Sequence, residues 1–472
     1  MRFFSRILPY ILLLIPAVGD ALAKDPEWTA HVGVRKLTIP DTLFNVADYG
    51  AIADGATMNT VAIQAAIDSC AAQGGGKVVF DNGKYLTGSL YLKSNVELHV
   101  GEGVELLGSQ DLADYPEIPT RVAGVEMQWP SALVNILNQR NAAVTGRGII
   151  DGQGKPFWDA YWALRNTYDR KKLRWIADYD AKRPRTLLVE NCQDVLIEDI
   201  TFQRAGFWTV HILYSSYVTI EGITVRNNIG GHGPSTDGID IDSSSWILIQ
   251  NSDIDCNDDN FCFKSGRDWD GLRVNRPTEY VLIQDCISRN GAGLITFGSE
   301  TSGGIRHIVA RNLHAQGTRS GIRFKSAITR GGVVENLLLE DITLEDVEIA
   351  IDVTANWYPA YSYASLPRGY DIHKVPDYWL KILKPVVPKE RGIPTFRDVQ
   401  IRNVTARNVK RAIYAEGLRE SPLQRFSFEN VHISAAEAGT IRYAENWSFR
   451  NVVIETPKAR RVRVKRSTNV VL

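Results

Sequence analysis

Three aspartates and two basic residues fall where repeated chain segments would bring them together. Asp237 stands in Ser235-Thr-Asp-Gly-Ile239, Asp258 and Asp259 in Asn257-Asp-Asp-Asn-Phe261, and Arg323 and Lys325 in Gly321-Ile-Arg-Phe-Lys325. Each group lies at the edge of a short apolar run. If the segments stack at the same relative position, the carboxylates stand within several ångströms of one another, and crowding of that kind raises at least one pKa. One carboxyl then stays protonated while another is ionised, which is the division of labour in hydrolysis of a glycosidic bond. A lone Asp would be ordinary turn filling, but a like-charge cluster with cations beside it points to a site.

Positioning these groups requires stacked repeats, and the sequence supplies them. Val195-Leu-Ile197, Val218-Thr-Ile220, Ile247-Leu-Ile249, Val281-Leu-Ile283, Leu337-Leu-Leu339, Val399-Gln-Ile401 and Phe426-Ser-Phe428 restate one phrase, with related residues at Ile308. The spacing, roughly 22 to 34 residues, is that of a solenoid. Short alternating apolar strands split by Asn, Asp and Gly predict an all-β, right-handed parallel β-helix, with coils about 4.8 Å apart. Leucine-rich repeats are disfavoured because the L-x-x-L-x-L phrase is absent.

Ahead of the repeats, a cap over about residues 44–91 contains a short helix. Asn59 and Thr60 are N-cap types, Ile63, Ile67 and Cys70 share a face, and Gly74-Gly-Gly76 stops it. Two insertions, about 161–185 and 356–392, interrupt the period, the second with Trp357, Tyr358, Tyr361 and Tyr363. Solenoid insertions gather on one face, often the binding face, although aromatic residues there also serve to pack a loop down. Residues 24–472 read as one domain.

Lys and Arg number 54 and Asp and Glu 54, so bulk charge selects no polyanion and nucleic acid is not an expected partner. Residues 1–23, with Arg2 and Arg6, an apolar run from Ile7 to Val18 and Ala21-Leu-Ala23, have the anatomy of a signal peptide. The expected destination is periplasmic or secreted, with no membrane span after cleavage. Five scattered cysteines show no metal-like spacing; buried apolar roles are expected, with no cofactor, no metal and a monomeric chain.

The segment from Asp237 to Lys325 resembles glycoside hydrolase family 28, the polygalacturonases, whose blocks are N-T-D, D-D, G-H-G and R-I-K. They stand here as Ser235-Thr236-Asp237, Asp258-Asp259, Gly291-Ala292-Gly293 and Arg323-Phe324-Lys325. The resemblance implies that Asp258 protonates the leaving oxygen while Asp237 and Asp259 hold and deprotonate a water. Inversion would follow, with acid and base carboxyls roughly 6.5–9.5 Å apart. Arg323 and Lys325 would grip a galacturonate carboxylate in pectic polysaccharide or oligosaccharide. The family His is Ala292 here, as in the rhamnogalacturonan-cleaving branch. His232 and His211 are further substrate-contact candidates. Gly298-Ser-Glu-Thr-Ser-Gly-Gly304 is similar to the exo-acting branch, and Arg267 lies in an insert, Ser265–Arg273, that fits a loop blocking one end of a groove. Two rivals remain open: a Ca²⁺-dependent pectate-lyase-like β-helix, and a non-catalytic carbohydrate-binding one.

Overall fold

A computed structural model describes residues 25–458 and 460–471; the signal-peptide reading at 1–23 lies outside the described residues. The repeated phrase is a single column. Val195 pairs with Val218, then in turn Ile247, Val281, Ile308, Leu337, Val399 and Phe426, all in parallel. Every residue of that column is buried, because side chains alternate across a strand and a stacked coil turns one face inward. The architecture is a right-handed parallel β-helix, as successive parallel crossovers wind. One continuous apolar core runs from Phe44 to Trp447.

Asn and Asp occupy the bends because they tolerate positive φ and hydrogen-bond the coil below. Asn403 donates to Asp341 at 2.9 Å, Asn430 to Asn403 at 3.1 Å and Asn451 to Asn430 at 2.9 Å. Inside, Phe263, Phe297 and Phe324 stack at 5.0 and 4.7 Å beneath the strands that carry the predicted site. All five cysteines are buried and unpaired.

The capping helix, α1 (Thr60–Ala72), buries Ile63, Ala66, Ile67 and Cys70 on the first coils. Its entry differs from expectation. Asn59 makes no cap bond; its side chain is committed to the backbone of Ile52 and Thr57, fastening the preceding loop instead. The exit is as expected, for a Cβ on Gly75 at φ +112° would meet the Asn95 carbonyl at 2.3 Å.

The insertions fold as helices Lys155–Arg170, Ala177–Asp180, Pro359–Ser362 and Asp377–Leu383. They build a second core with an antiparallel hairpin, Glu117–Val122 and Val125–Pro130, that the repeat pattern did not reveal. Trp175 meets Trp379 edge-on at 5.4 Å. Packing is therefore one job of these aromatics, and closing the site is the other.

Candidate active site

Five neighbouring strands carry the site: β1 (Val210–Leu213), β2 (Ile239–Asp242), β3 (Asp259–Lys264), β4 (Gly293–Phe297) and β5 (Ser320–Lys325). The Thr209 amide donates to the Asp237 carbonyl at 3.0 Å and the Gly238 amide to that of Asp259 at 2.9 Å. Asp237 and Asp259 are thus pinned in successive coils, with Asp258 beside the latter.

The expected register needs correction. Asp259 pairs with Gly293 and Gly293 with Ser320, whereas Arg323 pairs with Thr296. Arg323 lies three positions further along its strand than the ladder reading placed it. It still reaches Asp259, at 3.2 Å, because Gly293 has no side chain between them: a Cβ there would stand 3.2 Å from the Asp259 carboxylate and 3.6 Å from Arg323 Cδ. The neighbouring Gly291 holds φ +92°, where a Cβ would meet the Asp258 carbonyl at 2.6 Å. The Ala292 backbone amide donates to that same carbonyl at 2.8 Å, and the side chain there is a methyl group.

Asp259 is fully buried. It accepts from Lys325 at 2.6 Å, from Thr296 at 2.8 Å and from Arg323. Burial pushes its carboxyl up, but Lys325, Arg323 and Lys264 outweigh that and hold it well below the usual carboxylate range. Asp258 is moved the other way, first by burial and then by the Asp259 charge. Asp237 is raised well above its ordinary value by burial and by Asp240, with Lys264 opposing. Asp259 is thus held ionised, while Asp237 and Asp258 are both moved toward the protonated form.

The three aspartates each offer an oxygen within 4.8 Å of the others. This is closer than the 6.5–9.5 Å general for inversion, and one coil of the solenoid fixes it. The positive charge facing them is Lys264, Arg323 and Lys325.

Asp237 and Asp258 line a cleft of about 230 Å³ together with Trp208, Lys264, Arg323 and Trp357, whereas Asp259 sits behind it. Both insertions close over it. Arg174 pairs with Asp178 and lies 4.8 Å over the Tyr361 ring, Arg165 donates to the Tyr358 hydroxyl at 3.0 Å, and Lys325 sits 4.7 Å over Trp357.

Three candidates fall outside this cleft. Arg267 is completely buried, pairs with Asp268 at 2.9 Å and donates to the Tyr179 hydroxyl at 3.1 Å. It fastens the wall rather than meeting a ligand, since the inserts pack over it. His211 is also fully buried, under Trp208, where it accepts from Arg185 at 2.8 Å. Burial depresses its pKa to about 4 and keeps it neutral. His232 is exposed and bonds Asn257 at 2.8 Å; it supports a cleft residue without lining the cleft. Conversely, Lys264, Asp240 and Glu300 were not assigned from sequence. The outward positions of Ile239-Asp-Ile-Asp242 and Phe261-Cys-Phe-Lys264 were the trace of the first two, and Glu300 lies within the Gly298–Gly304 segment.

The profile of the Glycosyl hydrolases family 28 matches residues 70–375. The chain belongs to that family. A probable polygalacturonase of Vitis vinifera is 30% identical over 403 residues, covering 83% of this chain and 74% of that protein. An exo-poly-alpha-D-galacturonosidase of Dickeya chrysanthemi is 26% identical, covering 87% and 70%. Among solved structures, a hyperthermoactive exopolygalacturonase from Thermotoga maritima superposes with a TM-score of 0.75 at 28% identity, covering 91% of this chain and 95% of that one. As a family 28 glycoside hydrolase, this chain holds its aspartate trio on the coils just described, within the matched segment.

Proposed function

We propose that this hydrolase releases terminal sugars from α-galacturonosyl linkages of pectic polysaccharide or oligosaccharide, with inversion, and that residues 24–472 form one exported catalytic domain. The observation that carries the reading is a small cleft in which two carboxyls with raised pKa, Asp237 and Asp258, stand beside Arg323, Lys325 and Lys264. Two of the relatives are named for exo action on galacturonan. The volume lies below the roughly 300–1,000 Å³ of pockets that enclose drug-sized ligands, which suits a chain end. Among the described residues no helix is long and apolar enough to cross a membrane.

In this reading Asp258 gives its proton to the leaving glycosidic oxygen. Asp237 takes the proton of a water that attacks the anomeric carbon. Asp259 is an unfit nucleophile: it is buried and both its oxygens already accept from Lys325, Arg323 and Thr296. With Asp259 committed in this way and Asp237 read as the base, water is the attacking group, and this reading predicts inversion although the carboxyl oxygens lie within 4.8 Å of one another. The carboxylate of the sugar is offered Arg323 and Lys325, whose charges serve Asp259 as well.

Incubation with oligogalacturonides and with rhamnogalacturonan oligomers tests the substrate, with products resolved by chromatography. Monomer or short product from the chain end is expected from the first mixing onward. NMR before mutarotation should show the β anomer from an α-linked substrate, and added methanol should give no glycoside of retained configuration. Early α anomer would overturn the water-attack assignment. An ultraviolet-absorbing unsaturated uronate, abolished by EDTA, would replace hydrolysis with elimination.

A further inference from the structure

Behind Asp237 lies a buried group of charges that the reaction as described leaves without a task. Lys264 Nζ stands 3.3 Å from Asp237, 3.3 Å from Asp240 and 3.6 Å from Glu300, with all four side chains nearly or fully buried. One ammonium therefore faces three carboxylates, Asp237 and Asp240 from the preceding coil and Glu300 from the following one. Glu300 has further cations around it, but Asp237 and Asp240 share Lys264 as their close cation, and two full negative charges buried against one ammonium favour a proton on one of the pair.

Glu300 is not the holder. Burial raises it, but Lys264, Lys325, Arg330 and Arg267 together bring it below its ordinary value. Asp237 and Asp240 remain. Asp240 Oδ2 and Asp237 Oδ1 are buried without a hydrogen-bond partner among the described residues, and Asp240 Oδ1 faces Lys264 at 3.3 Å, a pattern of groups with unused capacity for a proton or a water.

The other neighbours of Asp240 supply little charge to change this. On the preceding strand it pairs with His211, which burial keeps neutral, with Arg185 beyond. On the following strand it pairs with Cys262, a thiol pushed well up by burial. On its own strand Asp242 is committed to Arg121 at 2.9 Å. Asp258 and Asp259 face Asp237 from the next coil, and Arg183 stands on its other side.

We propose that Asp240 and Lys264 are positioning residues for Asp237: the two aspartates hold one proton between them, and Lys264 favours the ionised form of Asp237. When Asp240 carries the proton, Asp237 is ionised and ready to accept one from water. When Asp240 is ionised, Asp237 holds the proton and is idle. The proposal rests on the reading of Asp237 as the base.

The signs are opposite for the two residues, which separates this role from a structural one. Asp240→Asn removes a competing negative charge, so Asp237 ionises more readily and the acidic limb of the kcat/KM profile moves to lower pH. Lys264→Gln removes the favourable cation and moves that limb to higher pH. Shifts of about 1–3 pH units are the scale for a single close charge. Both profiles would be taken on the full chain with the oligogalacturonide that the wild-type protein turns over, after thermal melting has shown each variant folded. Lys264→Arg, which keeps the charge, should restore the wild-type limb.

A second readout needs no turnover. The titration of Asp237 itself can be isolated as the difference in carboxyl infrared bands between each protein and its Asp237→Asn counterpart, and it should move in the same two directions. Unmoved or parallel shifts in both variants would overturn the proposal. Correct shifts in the infrared bands together with an absence of hydrolysis would leave this charge group standing and remove only the assignment of Asp237 as the base.

Discussion

Asp258→Asn lowers kcat on a natural glycosidic linkage by roughly 10²–10⁴-fold, the usual contribution of a general acid, while KM changes little. The amide keeps the shape of the side chain and still accepts the 3.0 Å bond from the Asp259 amide, so the cleft is undisturbed. It has no proton to give. The loss should depend on the leaving group: with a galacturonosyl fluoride, which departs without protonation, the variant should approach wild-type rates. The pH profile gives an independent check. Burial and the Asp259 charge raise the Asp258 pKa, so the wild-type rate falls as pH rises through it, and that alkaline limb should vanish in the variant. Near-wild-type activity on the natural linkage would take Asp258 out of the mechanism.

Asp259→Asn reduces both activity and stability, by a different route. Lys325 and Arg323 are 6% and 3% exposed, and the substitution leaves Lys325 without its ionised partner and Arg323 with only Asp352, at 3.8 Å. Breaking a buried ion pair from one side costs about 3–5 kcal/mol. The sign with pH follows from the depressed folded-state pKa of Asp259: its stabilisation is fully present above the unfolded value near 4 and is lost as pH falls through the lower folded value. The melting difference between wild type and variant should therefore be full at neutral pH and close only under strongly acid conditions. Activity should fall as well, because two unmasked cations beside Asp258 lower its pKa and move the alkaline limb of the variant to lower pH. A variant that melts like the wild type at pH 7 would show that Lys325 and Arg323 find other partners, and would weaken the case that Asp259 organises the site.

Arg323→Ala and Lys325→Ala accordingly have two effects at once. Each removes a group available to a sugar carboxylate and loosens the clamp on Asp259, so KM for an acidic substrate should rise while the pH profile shifts. A pure recognition residue would change KM alone.

Much of this protein was legible in its sequence. Eight repeated apolar phrases from Val195 to Phe426 prove to be one hydrogen-bonded column, since a strand period of two and a fixed coil length leave stacking as the way to bury them. Asp237, Asp258 and Asp259 were legible because their type and spacing repeat with the coils, and the blocks around them identified the family. What the sequence did not determine is how far along its strand each side chain points and what covers it. The register that put Arg323 three positions on, the gap at Gly293 that lets it reach Asp259, and the burial of Arg267 and His211 all arise from contacts between segments far apart in the chain. Lys264 is the clearest case: one Lys among many in sequence, it became the ammonium between Asp237, Asp240 and Glu300 only when three coils were stacked about 4.8 Å apart. Charge and solvation depend on distances through space, and those exist only in the folded chain.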